Sequence, residues 1–390
     1  MAMKKNQMGF YRFSFFLFIV LVTSCINKKG NTTGNMEVEK SRKEVIDIIN
    51  KVNTYWQSTA DPESANAFWH PAAYHTGNMA AYFVTGVEDY RLYSEKWADK
   101  NEWKGAKSDD TSQWKYHYGE TDEHVLFGDW QLCFQTYTDL YTIEPDEKKI
   151  VRAKEVFEYQ MLTLNNDYWW WTDGLYMAMP VMTSLYRITQ NPLYLKKQYE
   201  YFSYAKELMY DEESSLFYRD AKYIYPKHQT TNGLKDFWAR GNGWAFAGLA
   251  RVLQDLPETD AHKGEYIELF RSMANALKNS QQSEGYWSRS LLDSKHAPGF
   301  ETSGTAFFTY GFLWGLNNGI LAKGEYADVV DKSWNYLTKT ALQQDGKIGY
   351  VQPIGERADQ HRYVGAETTS DFGVGAFLLA ASEMVKYLQS

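Results

Sequence analysis

The sequence predicts an all-α fold, a single-domain (α/α)6 toroid of two concentric helical layers, and three observations carry that prediction. Apolar residues recur at helical spacing from about residue 40 onward, separated by Gly, Asn, Asp and Pro clusters. The segments alternate in character: one member of each pair is charged on one face (SRKEVIDIINKVNTYW), and the next is apolar and rich in small residues nearly all round (SGTAFFTYGFLWGLNNG). No Pro/Ser linker or low-complexity stretch interrupts them, which disfavours the competing two-domain helical array. A helix that is apolar on every side must be buried on every side. Six such helices ringed by six amphipathic ones form a closed double layer.

Residues 1–24 read as an address rather than as part of the fold. Lys4, Lys5 and Arg12 precede an apolar run from Phe15 to Val22 that is too short to span a bilayer. The run ends in Leu21-Val22-Thr23-Ser24-Cys25, which resembles a bacterial lipobox, so Cys25 is expected to carry a lipid. Residues 25–39 are then the lipidated Cys and a flexible tether, and the folded domain spans 40–390. On this reading the protein is an exported lipoprotein of the periplasm. It is anchored to the outer membrane, touches lipid only through the anchor, and has surface exposure as an alternative. Cys133 is left unpaired, so stability must come from the core.

Helices are expected near 40–57, 74–86, 88–101, 126–143, 147–163, 173–189, 192–210, 242–255, 262–280, 303–319, 325–342 and 371–388. Pro192 opens the seventh, since Pro in a first turn loses no hydrogen bond. Ser370 and Asp371 can cap the last by accepting free backbone N–H groups. The formal charge of −8, with no basic run in the folded part, argues against a nucleic-acid partner. Aromatics at 17 % exclude a disordered chain, and two Cys exclude a disulfide scaffold.

Function is read from the connections. Long ones precede the apolar helices, at 102–125, 164–172, 211–241, 281–302 and 343–370, and such lengths are uncommon unless functional. All enter the inner ring from one end, so their residues converge on one mouth. The unusual side chains cluster there: His75 and Asn78; Asp129 and Trp130; Trp169 to Asp173; Trp238, Arg240 and Trp244; Glu301 and Ser303; Glu367 to Asp371. Singly, an Asp at a helix start is more often a cap, and a Trp cluster more often core. Together, aromatic faces beside carboxylates suit a carbohydrate. Arg240 narrows this to an acidic sugar, because a guanidinium matches a carboxylate bidentately. A structural ion pair is its competing role.

Three blocks, WWWTDGLYMAMP (169–180), FWARGNGWAFAGLARVL (237–253) and ETSGTAFFTYGFLWGLNNG (301–319), resemble the signature segments of glycoside hydrolase family 105. These are unsaturated rhamnogalacturonyl or glucuronyl hydrolases, related to family 88. The resemblance runs from about 40 to 388 and implies the toroid, no cofactor or metal, and an acidic oligosaccharide substrate. That substrate ends in a 4,5-unsaturated uronic acid, which the family removes by hydrating the vinyl ether. The resemblance implies Asp173 as the proton donor and Asp129 as a second carboxylate. It also implies Arg240 as the carboxylate binder and Trp244, Trp238 and Met177 as pocket walls. His75 and Asn78 stand where the family has an aromatic and an Asn. Trp130 follows Asp129 where a second Asp is usual. Arg219 replaces a His, and the extra cation is expected to favour a more anionic or branched aglycone.

Three alternatives keep the same scaffold. A sugar epimerase would use paired histidines, and the eight His lie outside the signature blocks. A non-catalytic acidic-glycan-binding lipoprotein would tolerate loss of Asp173, which is present. A polysaccharide lyase would deploy Tyr, His and Arg, and 30 Tyr are available. Oligomeric state leaves no trace in the sequence.

Overall fold

The computed structural model describes residues 30–360 and 363–389. Cys25 and the expected export segment lie outside them. Six helices form the outer layer: α1 (Gly30–Thr59), α3 (Glu88–Lys100), α5 (Val151–Leu162), α8 (Leu193–Met209), α10 (Lys263–Ser280) and α12 (Lys323–Tyr336). The inner layer comprises α2 (Trp69–Thr85), α4 (Cys133–Ile143), α6 (Gly174–Met177) with α7 (Met179–Thr189), α9 (Ala239–Asp255), α11 (Thr302–Asn317) and α13 (Asp371–Tyr387). Each inner helix packs on its neighbours in chain order, and α13 packs back on α2, so the ring is closed. The fold is the (α/α)6 toroid.

Inner helices are buried nearly all round, as their composition requires; every residue of α11 from Thr302 to Gly315 is buried. Small residues let the backbones approach. An added Cβ on Gly77 of α2 would lie 2.1 Å from the carbonyl oxygen of Gly375 in α13, so this seam admits only glycine. Among the described residues the one β hairpin, of β1 (Tyr210–Asp211) and β2 (Leu216–Phe217), follows α8.

Four departures from expectation have local causes. The first helix begins at Gly30, inside the stretch expected to be a tether; nothing breaks the helix through Met36–Lys40, whose Met, Glu and Lys favour it. The second begins at Trp69 rather than 74, because Pro71 falls in its first turn, where its missing N–H costs nothing. The fourth begins only at Cys133; residues 126–132 form turns instead, including a 3-10 turn at Gly128–Trp130. The sixth is split at Ala178, since Pro180 cannot donate to the carbonyl of Tyr176. That carbonyl is satisfied by the side-chain amide of Gln135.

Candidate active site

A cavity of about 470 Å³ opens at the end of the toroid where the long connections enter. Asp173 sits directly before α6, at its floor. The segment that delivers it is held by a bridge between Trp171 and Asp220 and by Thr172 N–H donating to the Arg219 carbonyl at 2.8 Å. Gly241 lets α9 close on it: an added Cβ would meet Thr172 Cγ2 at 2.9 Å and Trp238 Cε3 at 3.1 Å.

Asp173 is 8 % exposed and its Oδ1 has no hydrogen-bond partner. Burial pushes its pKa up to about 6, against the pull of Arg219 and Arg240, with Asp220 and Glu356 adding to the rise. Asp129, from the turn before α4, lines the same cavity. Burial holds its carboxyl well above the usual range, and the charge of Asp173 raises it further. Two carboxyls that disfavour simultaneous ionisation suit proton transfer near neutrality.

Arg240 lies in the first turn of α9 and is 1 % exposed. Its Nη1 donates to the Gln352 carbonyl at 2.6 Å and its Nη2 to the Pro353 carbonyl at 2.8 Å. The guanidinium lies over Trp238 at 4.6 Å and Phe372 at 4.7 Å. Burial draws its pKa down to about 10, with Glu301 and Asp173 opposing, so it stays charged at neutral pH. Nε has no partner. Arg240 lines the cavity, and its Nε is enclosed by the protein. No carboxylate pairs directly with Arg240 among the described residues, so the structural ion pair is not formed.

Glu301 anchors this cradle. It caps α11 through the N–H groups of Ser303 and Gly304, and it also accepts from Gln352 N–H at 3.2 Å. Trp238 donates its indole N–H to Gln352 Oε1 at 2.9 Å. Asn242, the middle of RGNGW, pairs both ways with the Phe217 backbone and ties β2 to α9. Trp244 and Met177 complete the inner wall. Arg219 stands beside Asp173, with Nε 3.9 Å from Oδ2.

Of the expected site residues, Asp173, Asp129, Arg240, Trp244, Trp238, Met177 and Arg219 line the cavity. His75, Asn78 and Trp130 do not. The earlier start of α2 carries His75 and Asn78 a turn or more past the mouth, toward the outer layer. There His75 stacks on Trp97 at 4.0 Å and bonds Ser94, and Asn78 bonds Asn53, Tyr90 and Ser94. Trp130 packs behind Phe68, and its indole N–H donates to the Gly119 carbonyl. The cavity instead receives Phe68, Trp69 and His70 from that shifted start. His70 Nδ1 lies 2.7 Å from Asp371 Oδ2, and Ser370 makes no capping bond. Trp170, with an unpartnered indole N–H, and Tyr118, Glu120, Lys222, Ile354, Glu356 and Gln360 complete the lining. Pro71 was the signal for the α2 shift; Glu356 lies in a connection without sequence pattern.

Among the described residues, no group of three or more His, Cys, Asp and Glu is arranged to hold a metal, and no helix is long and apolar enough to cross a membrane. A six-hairpin toroid whose mouth combines aromatic walls, two elevated carboxyls and a buried guanidinium is the plan of a glycosidase. Residues 40–388 match the description of Glycosyl Hydrolase Family 88, and the chain belongs to that family. The resemblance to family 105 and its relative family 88 thus holds.

An unsaturated 3S-rhamnoglycuronyl hydrolase of Formosa agariphila is 32 % identical over 328 residues, covering 82 % of this chain and 84 % of that protein. A solved family 88 glycosyl hydrolase from Bacteroides vulgatus is 56 % identical with a TM-score of 0.87, over 89 % of this chain and 99 % of that one. Another solved structure, described as a polysaccharide lyase, is 63 % identical with a TM-score of 0.87, over 90 % of this chain and 99 % of that one.

Proposed function

We propose that this glycosidase removes a terminal 4,5-unsaturated uronic acid from lyase-generated acidic oligosaccharides by hydrating its vinyl ether. The observation that carries this reading is the charged guanidinium of Arg240, paired with no carboxylate among the described residues, in the wall of the same cavity as the raised carboxyl of Asp173. The substrate carboxylate pairs with that guanidinium, with the sugar faces on Trp244 and Trp238. Protonated Asp173 delivers its proton to C4, and positive charge develops on C5 and the ring oxygen. Water adds at C5, losing a proton to the now ionised Asp173, which is restored as an acid. The C5 hemiketal opens to a ketone, and the aglycone leaves from C1. Asp129 stabilises the developing charge and binds substrate hydroxyls.

The test is the ultraviolet absorbance of the conjugated uronate during incubation with lyase products of pectic, glycosaminoglycan and algal polymers. Loss of absorbance is the expected result. A rise on intact polymer would establish the second reading, a polysaccharide lyase, which the description of the 63 %-identical structure favours. Binding without any change would establish a glycan-binding protein.

We also propose export and lipidation at Cys25, on the basic start, the apolar run and the lipobox-like residues before it. Labelling of cells with a fatty-acid analogue should mark the protein and spare Cys25→Ala. An unlabelled wild type would overturn this.

A further inference from the structure

Resting on the reading that Arg240 pairs with the substrate carboxylate, we infer that Gln352 is a positioning residue, whose side chain holds the Arg240 guanidinium in place through Trp238 and through the loop at 352–358. Gln352 is fully buried in the connection between α12 and α13 and does not itself line the cavity. Chemistry fixes the orientation of its amide. The Trp238 indole N–H can only donate, so the atom 2.9 Å from it is the amide oxygen. The amide nitrogen then faces the carbonyls of Arg357 at 3.0 Å and Ala358 at 3.3 Å and donates to both.

These bonds act on Arg240 by two routes. Trp238 lies against the guanidinium, its ring centroid 4.6 Å from Cζ, and the bond to Gln352 fixes the rotation of that ring. The bonds to Arg357 and Ala358 close the loop on itself. Its first two carbonyls, of Gln352 and Pro353, are the ones that accept from Arg240 Nη1 and Nη2. Gln352 N–H donates to Glu301 at 3.2 Å, which ties the start of the loop to the cap of α11. Pro353 has no N–H with which to anchor itself, so its carbonyl depends on the closure that the Gln352 amide supplies. The same loop presents Ile354, Gly355 and Glu356 to the rim of the cavity. A guanidinium already held by fixed carbonyls loses little freedom when it meets a carboxylate, and that is what the arrangement contributes.

The test uses the full protein, Gln352→Met, and two probes, the 4,5-unsaturated glucuronyl-rhamnose disaccharide and its methyl ester. Met matches Gln in length and removes both donors and the acceptor. In calorimetry the wild type should bind the acid more tightly than the ester. Gln352→Met should weaken the acid about tenfold and leave the ester within about twofold. Where the acid is hydrolysed, the loss should fall on KM more than on kcat. Undiminished affinity for the acid would overturn the inference, and so would equal losses for acid and ester, which a purely structural role produces. In an Arg240→Lys background the substitution should have little further effect; fully additive losses would show Gln352 acting apart from Arg240 and count against it.

Gln352→Asn keeps the amide but is too short to reach both Trp238 and the loop, and it should show the same selective loss for the acid. If both variants lose their cooperative thermal transition, Gln352 is structural and the inference fails. Failure of the underlying reading looks different, because the wild type itself would then bind acid and ester alike, and the inference would fall with it. Preference for the acid without hydrolysis would sink the reaction alone, and the affinities of the variants would still decide the role of Gln352.

Discussion

At the scale of single residues, Asp173 and Arg240 divide the chemistry between a proton and a charge. Asp173→Asn should lower kcat by about 10²–10⁴, the usual worth of a positioned general acid, with binding retained in calorimetry. Full activity in this variant would remove Asp173 from the role. Because burial raises its pKa to about 6, kcat should fall as pH rises through that value and the acid ionises. The sign for stability follows from the same shift. The folded carboxyl holds its proton more tightly than an unfolded one, so its favourable contribution is full below about pH 4 and lost through about pH 6. Asp173→Asn should therefore exceed the wild type by about 3 kcal/mol at pH 8 in denaturant titrations, and match it near pH 4. Arg240→Lys keeps a charge but loses the fork; KM should rise about tenfold or more, and an unchanged KM would return Arg240 to a purely structural role.

Elements place these side chains through contacts that leave no spare room. Gly77 and Gly375 meet where α2 closes on α13, and Gly77→Ala would drive a Cβ into the Gly375 carbonyl. The seam cannot yield without moving a helix, so destabilisation of about 1–3 kcal/mol or more is expected in thermal or denaturant unfolding. Pro180 was visible in the sequence, but its effect was not. The break at Ala178 is tolerated only because Gln135, on a different helix, takes the Tyr176 carbonyl. The start of α2 was legible in principle, since Pro71 is a first-turn residue. Reading it would have placed His70 rather than His75 at the mouth.

For the whole molecule, closure of the ring matters most. α13 contacts α1, α2 and α11, joining the chain's end to its beginning. A chain ending at Ser370 should fail to unfold cooperatively, because α2 and α11 would each expose an apolar face; a sharp thermal transition in that truncation would show that closure is dispensable. Cys133 is buried and free of any disulfide, so reductant should leave the melting temperature unchanged. A reductant-dependent shift would point to a covalent link that the toroid does not require.

Sequence by itself determined the layers and the chemistry-bearing motifs. Alternating amphipathic and all-apolar helices can be satisfied only by an inner and an outer ring, and the WTDG and RGNGW blocks carry the residues of the floor. Only the tertiary structure decided which polar residues reach the cavity. Asn78 and Glu356 are both polar residues near the mouth in the chain, yet one is spent on Asn53 and Ser94 and the other faces the rim. The difference lies in helix starts and charge pairing. A shift of one turn rotates and lowers a side chain, and a cation's availability depends on carboxylates more than a hundred residues away, as Glu356 is from Arg219. Neither is written in local spacing, because both are set by which backbones can approach.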